Sequence, residues 1–324
     1  MKFDKNGEFF RGAYASYTYA APTLPPCEMP LEYSGGKDEF LASRKTAWLG
    51  GALNCTPVYE VWGPDAAEVL TATCVNRDFS LMKPGSSKHA LICNERGKMV
   101  ADGVIMYKEE NCFRSYWVAP VLQFYVEKAA AAGKQVKGKY IDDEYFFQID
   151  GPKSLQMLEE ATESDLHDLK FAQNKKVKIV GTDMVVHRLG MSGALAYEVH
   201  GDAENAEKAY AKLREVVEKY GGKPMGFRNY TILNHTPAGY PNQFQHFAYD
   251  FAHAEEDLQV FAQRECWPQM GFGSVAGDQD QLNVYPHEIG WGYLCNFDHD
   301  FPGKEALLKV REDCPRTTVT LEWT

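Results

Sequence analysis

The side chains able to do chemistry are spread along the chain rather than gathered in one motif. Gln148 stands inside the apolar run YFFQI, and an amide carried into a core must find hydrogen-bond partners there. Glu198 lies in the alternating stretch LAYEVHG, as a solvated strand residue or as an acceptor of charge-assisted bonds. Asp102 follows the tight segment ERGKMVADG. An Asp in such a place bonds its own backbone or offers an acid to a site. Arg228 and Tyr230 belong to RNY. A phenol can donate a proton without being charged at rest, and a guanidinium can hold a carboxylate in a bidentate fork or serve a structural salt bridge. Asn234, His235, Tyr240 and His246 crowd the turn-rich stretch that follows; they read as a polar pocket wall or as turn caps and satisfied histidines. Tyr14, Tyr17 and Tyr19 are candidates for stacking on an aromatic substrate. The nine histidines show no H-E-x-x-H or comparable ligand spacing, so no metal is expected.

These residues need elements to hold them. Residues 1–54 form an irregular Tyr- and Pro-rich lead, in which Pro22, Pro25, Pro26 and Pro30 exclude a helix over 14–30. An internal repeat follows. EVWGPDAAEVL starts at residue 60 and QIDGPKSLQML at 148, an offset of 88 residues. Each copy runs from a β-type segment through Gly-Pro into a helix-forming segment, where Pro suits the first turn. Strand-like runs come next, and each copy closes with a helix. In the second copy Ala206, Ala209, Tyr210, Leu213, Val216, Val217 and Tyr220 share one helical face, and Gly221 can cap it. The expected architecture is α+β, with two pseudo-repeated β-α-β-β-α units over 55–135 and 136–222. An irregular segment over 223–310 completes them, with short helices in AHAEEDLQVFAQR and after Gly303. The final TTVTLEWT alternates like a strand, so 311–324 reads as the start of a further β-rich domain.

The chain of 324 residues carries a formal charge of −11, with 44% hydrophobic and 24% charged residues. That balance argues against nonspecific nucleic-acid or anionic-membrane partners, which are drawn by clustered Lys and Arg. No apolar run approaches the roughly 18 residues of a membrane span, and the N-terminus lacks the apolar core of a secretory signal. The eight cysteines form no C-x-x-C pair. A cytoplasmic protein with reduced thiols is expected.

Four blocks now gain meaning together: 63–107, the Gly-Pro repeat at 151, HRLGMSGALAYEVHG at 187–201, and HEIGWGYLCNFDHDFPGKEALL at 287–308. In this order they resemble the aminomethyltransferase family, the glycine cleavage T-proteins. The resemblance implies a folate-binding core made by the two repeats and a C-terminal β-barrel that this chain looks cut short of. Within the family, RNY at 228–230, then Asn234 and Gly239-Tyr240, look like the aryl O-demethylases of vanillate, syringate or 3-O-methylgallate. Tyr240 stands where those carry Trp. Asp102-Gly103 replaces the paired acids of the plain aminomethyltransferases, and Asn54-Cys55 replaces their Ser-His. The resemblance implies that Glu198 accepts bonds from the pterin of tetrahydrofolate, that Gln148 and Tyr240 also contact this cofactor, and that Asp102 lies near the transferring carbon. Tyr230 would serve as the acid toward a leaving phenolate, with Arg228 orienting it or binding a substrate carboxylate. The implied activity is demethylation of a methoxylated aromatic to a phenol and 5-methyltetrahydrofolate. The alternatives are an aminomethyltransferase or sulfonium demethylase of the same fold, and a folate-binding protein without catalysis.

Overall fold

The computed structural model describes residues 16–21, 24–30, 32–51, 56–243, 245–266, 275, 278–319 and 321–322. Strands β1 (Ser16–Ala21) and β2 (Leu24–Pro30) pair as a two-stranded sheet, then come α1 (Gly36–Lys45) and β3 (Trp48–Gly50). The first repeat follows as β4 (Val58–Trp62), α2 (Ala66–Thr73), β5 (Ser87–Cys93), β6 (Met99–Glu109), β7 (Cys112–Tyr116), α3 (Val121–Ala131) and β8 (Lys137–Tyr140). The second is β9 (Glu144–Asp150), α4 (Ser154–Thr162), β10 (Asn174–Ile179), β11 (Thr182–His187), β12 (Ala196–Asp202), α5 (Ala206–Lys219) and β13 (Lys223–Met225). Helices α6 (Glu256–Glu265) and α7 (Lys304–Glu312) come last. One compact unit takes in Pro25–Thr56 and Asp142–Tyr240; the other takes in Pro57–Ile141 and Pro241–Thr324.

The repeat is real and longer than its sequence pattern. Each copy is β-α-β-β-β-α-β, because a third hairpin strand and a closing strand join the expected five elements. The sheet orders match position for position: β5-β6-β7-β4-β8 in one unit and β10-β11-β12-β9-β3-β13 in the other. The single difference is β3, which inserts between β9 and β13, antiparallel to the first and parallel to the second. The Gly-Pro turns repeat to the atom. Ala66 N donates to Gly63 O and Ser154 N to Gly151 O, both at 3.0 Å. Both glycines hold positive φ, 129° and 142°. A Cβ on Gly63 would stand 2.2 Å from Gln135 O, and one on Gly151 would stand 2.5 Å from Thr46 O. Only glycine fits either place.

Each unit has its own apolar core, set by strand alternation. In the first-named unit, Tyr145, Phe147 and Ile149 of β9, Tyr197 and Val199 of β12, Met184 and Val186 of β11 and Leu49 of β3 face α4 and α5. Helix α5 buries Ala206, Ala209, Tyr210, Leu213, Val216 and Val217, the face its periodicity marks. In the other unit, Tyr59 and Val61 of β4, Ala90 and Ile92 of β5 and Phe113 of β7 pack with α2, α3 and α6.

Two elements differ from expectation. Helix α1 forms inside the stretch read as irregular; its buried residues are Glu39, Ala42 and Ser43, so it lacks the apolar stripe by which helices are recognised. The expected terminal strand does not form among the described residues of 313–322. Thr318 instead bonds Glu288 O through both its N-H and its hydroxyl, each at 3.1 Å. No helix among the described residues is long and apolar enough to cross a membrane.

Candidate functional site

The site grows from the second face of the sheet built on β9. Because side chains alternate, the residues between the core positions point the other way. There the sequence places Phe146, Gln148 and Asp150 on β9, Glu198 and His200 on β12, His187 on β11 and Trp48 on β3. All seven are buried. A sheet face that is buried yet carries an amide, two carboxylates, two imidazoles and an indole is not a packing surface.

Register fixes the geometry. Glu198 stands directly across from Gln148 on one side and from His187 on the other, and Trp48 stands across from Asp150. Gln148 is 0% exposed and Glu198 2%. Among the described residues, both amide atoms of Gln148, Oε2 of Glu198, Oδ2 of Asp150, Nε1 of Trp48 and both amide atoms of Asn234 have no hydrogen-bond partner. An unmade buried hydrogen bond costs about 1–3 kcal/mol. Such a concentration of unmet donors and acceptors marks a place where a polar ligand completes the bonding. His187 Nδ1 lies 3.5 Å from Glu198 Oε2, and His200 Nε2 lies 4.0 Å from the same oxygen.

Asp150 takes a 2.7 Å bond from Ser192 Oγ. Burial pushes its carboxyl up to about 7, against that bond and the charge of Arg44, which pull it down. Tyr230 sits in a π-helical turn, Asn229–Leu233, a local widening common at functional sites. Burial, then the nearby carboxylates of Glu198 and Asp150, hold its phenol well above the usual range. The turn is anchored by Glu39, which accepts from Gly226 N at 2.9 Å, from Asn229 Nδ2 at 2.7 Å, from Ser34 N at 3.0 Å and from Tyr33 N. Rings then run edge to face from Trp48 to Tyr230 (6.1 Å) and from Tyr230 to His235 (6.0 Å), with Tyr240 6.2 Å beyond His235.

The structure thus brings Gln148, Glu198 and Tyr230 together and draws Tyr240 to the end of the same row. Arg228 is the exception within RNY. Its guanidinium is exposed and donates from Nη1 to Glu32 Oε1 at 2.7 Å, a salt bridge that uses one of its nitrogens. Tyr14 lies outside the described residues, as do Asn54 and Cys55; Tyr17 and Tyr19 fall on β1, and their side chains are likewise outside the description. Sequence reasoning passed over Asp150, His187, His200, Trp48 and Glu39. Asp150 and His200 carried a signal: each lies two residues from a position already singled out, on the same strand face.

In the other unit Asp102 is held from two sides. Tyr249 donates to its Oδ1 at 2.6 Å while accepting from its backbone N-H at 3.1 Å. His89 Nε2 lies 3.1 Å from Oδ2. The edge-to-face contact of His89 with Trp291, 4.6 Å between centroids, restrains the imidazole. Burial and the Asp102 charge raise the Tyr249 phenol well above its ordinary value, so its proton stays in the bond.

Comparison with known proteins gives the family. Residues 24–265 match the family described as the GCVT N-terminal domain, and the chain belongs to it. It is 39% identical over 306 residues to a sesamin methylene transferase from Sinomonas, covering 91% of this chain and 66% of that protein. It is 28% identical over 307 residues to a syringate O-demethylase from Sphingobium, covering 90% and 66%. The chain therefore spans just under two thirds of the length of these relatives. The aminomethyltransferase T of the glycine cleavage system from Bartonella henselae shares the fold, with a TM-score of 0.64 at 18% identity over 92% of this chain and 71% of that one.

Proposed function

We propose that this chain is the folate-binding part of a tetrahydrofolate-dependent transferase that removes a methyl group from an aromatic methyl ether. The observation that carries the reading is the set of unpartnered polar atoms on one sheet face, with Gln148 and Glu198 directly opposed and Tyr230 beside the carboxylates. They fit a pterin. Its amino-pyrimidine edge presents parallel N-H donors, for which a carboxylate is the strongest neutral-pH acceptor, and its amide offers both a donor and an acceptor to Gln148. Tetrahydrofolate, when bound, supplies the nucleophilic nitrogen that takes the one-carbon unit.

The chain's own residues do the rest. Breaking the bond between the methyl carbon and the aryl oxygen leaves its electron pair on that oxygen, and the methyl group would pass to the folate nitrogen. The Tyr230 hydroxyl meets that oxygen as a hydrogen-bond donor. A phenol held well above its ordinary range stays protonated and stabilises developing charge by donation; the proton gained by the phenol product balances the one that the folate nitrogen would release to solvent on methylation. Asp102, fixed by Tyr249 and His89, is proposed in the role the resemblance gives it, a carboxylate shaping the field at the transferring carbon.

A second reading has one observation in its favour, the 39% identity to a methylene transferase. A methylenedioxy carbon would then be the donor. The two are separated by incubating the protein anaerobically with tetrahydrofolate and a panel of vanillate, syringate, guaiacol, a methylenedioxyphenyl compound, dimethylsulfoniopropionate and glycine-cleavage partners. Mass spectrometry reads the folate product. 5-Methyltetrahydrofolate with a matching phenol is the expected result. 5,10-Methylenetetrahydrofolate with a catechol selects the second reading, and folate binding without any product removes both.

A further inference from the structure

We propose that His187, Glu198 and His200 form a binding site for a divalent transition-metal ion of the zinc type. The three side chains come from two neighbouring strands. His187 pairs across from Glu198, and His200 follows Glu198 by two residues, which returns it to the same face. All three are buried, and one ligand atom from each lies within 4.8 Å of the others. With metal–ligand bonds of roughly 2.0–2.2 Å, tetrahedral ligand atoms stand about 3.4 Å apart. The 3.5 Å between His187 Nδ1 and Glu198 Oε2 already meets that spacing, and His200 Nε2, at 4.0 Å from Oε2, has a short approach to make.

Charge and the outer shell point the same way. Among the described residues, the ion-pair partners of Glu198 within 4 Å are these two histidines, which carry charge only when protonated. A buried carboxylate needs a positive partner, and a dication supplies one with both imidazoles neutral. Behind His200, Glu144 Oε1 lies 3.2 Å from Nδ1 while Nε2 points at Glu198. A carboxylate at that distance is placed to take the far N-H once the ring binds an ion, which would fix its tautomer. The Phe146 ring, 4.3 Å from the imidazole centroid, restrains it further. Two imidazoles and one carboxylate suit zinc and its first-row neighbours, whereas calcium and magnesium favour all-oxygen shells. Glu198 is also the carboxylate that the proposed function gives to the pterin, so ion and folate compete for it.

The test titrates the metal-stripped protein, without folate, with Zn2+ by calorimetry and Co2+ by visible absorption. One ion per chain is expected, with cobalt d–d bands of low coordination number and no thiolate charge-transfer band. His187→Ala and His200→Ala should each weaken binding at least roughly 100-fold. Glu144→Gln, outside the ligand set, should weaken it roughly 10- to 100-fold. His253→Ala, from the separate cluster of Asp250, His253 and Asp280, should leave it unchanged. Zinc should weaken folate binding in the parent protein and not in His200→Ala. The proposal is overturned if the two histidine variants and Glu144→Gln, folded by circular dichroism, bind zinc as the parent does. It is equally overturned by a thiolate band, by loss of binding in His253→Ala, or by no ion bound at all. Because zinc is read without folate, failure here leaves the folate reading standing, and failure of folate to bind leaves this one standing.

Discussion

Tyr230 owes its chemical character to where it is held. Surrounded by Trp48, Glu198 and Asp150, it keeps its proton at any pH the protein meets. Removing that donor with Tyr230→Phe leaves shape and packing in place. Turnover should fall roughly 100- to 1,000-fold, the cost of losing one preorganised donor, with folate affinity unchanged within about threefold. Single-turnover rates against folate titrations separate the two; full activity in the variant would remove Tyr230 from the chemistry. Glu198→Gln keeps the side chain's size and deletes its charge. Charge-assisted bonds contribute about 1.5–3 kcal/mol, so tetrahydrofolate should bind roughly 10- to 100-fold more weakly, measured by fluorescence titration. An unchanged Kd would mean that the pterin lies elsewhere.

At the scale of elements, the site depends on two backbone devices. The first is the tie from α1 to the π-helical turn. Glu39 gathers donors from Tyr33, Ser34, Gly226 and Asn229 on its two oxygens, and an amide has one oxygen to offer. Glu39→Gln should cost about 2–3 kcal/mol in urea unfolding and slow turnover by loosening the turn that carries Tyr230. The second is the Gly-Pro turn leading out of β9. Gly151→Ala would press a methyl against the backbone of Thr46 and Ala47 at a positive φ and should cost about 3 kcal/mol or more. Gly181, also at positive φ but with nothing within 4 Å, is the control; its alanine variant should cost only about 1–2 kcal/mol. Equal losses at the two positions would mean that crowding at Gly151 does not matter.

For the whole molecule, the consequence of a polar sheet face buried beside an apolar core is a stability that depends on pH. Asp150 titrates near 7 in the folded protein against an ordinary value of 3.8. The folded state therefore favours the protonated carboxyl. Its contribution to stability is fullest below about pH 4 and is lost as pH rises to about 7, at on the order of 1.4 kcal/mol per pH unit. Glu60 and Glu288, whose carboxyls are held below 4.5 by Lys and Arg partners, lose their contribution only in more acid solution. Asp150→Asn should therefore raise Tm at pH 8 and change it little at pH 4. A variant whose Tm follows the parent's across that range would show that Asp150 is ionised in the fold. The net charge of −11 leads to one more expectation: binding to duplex DNA or anionic vesicles should be undetectable by gel shift or sedimentation at 0.15 M salt.

The sequence by itself determined the repeat and the helices with a strong apolar stripe, and it singled out Gln148, Glu198 and Tyr230 as polar groups in apolar surroundings. These are readable because local spacing encodes them: Gly-Pro at an offset of 88, a 3.6-residue period in α5, and polar groups inside apolar runs. Helix α1 was illegible because its buried face is acidic and small. The closing strands β8 and β13 are four and three residues long, too short for a period to show. Only the tertiary structure decided which polar residues meet. Register across β11, β12 and β9 puts His187, Glu198 and Gln148 in one row although they are up to 50 positions apart in sequence (187, 198 and 148). Packing of distant segments likewise pairs Arg228 with Glu32 and buries Tyr230 beside Trp48. Which group is buried, and beside which charge, is a property of pairing between distant segments, and no local pattern records it.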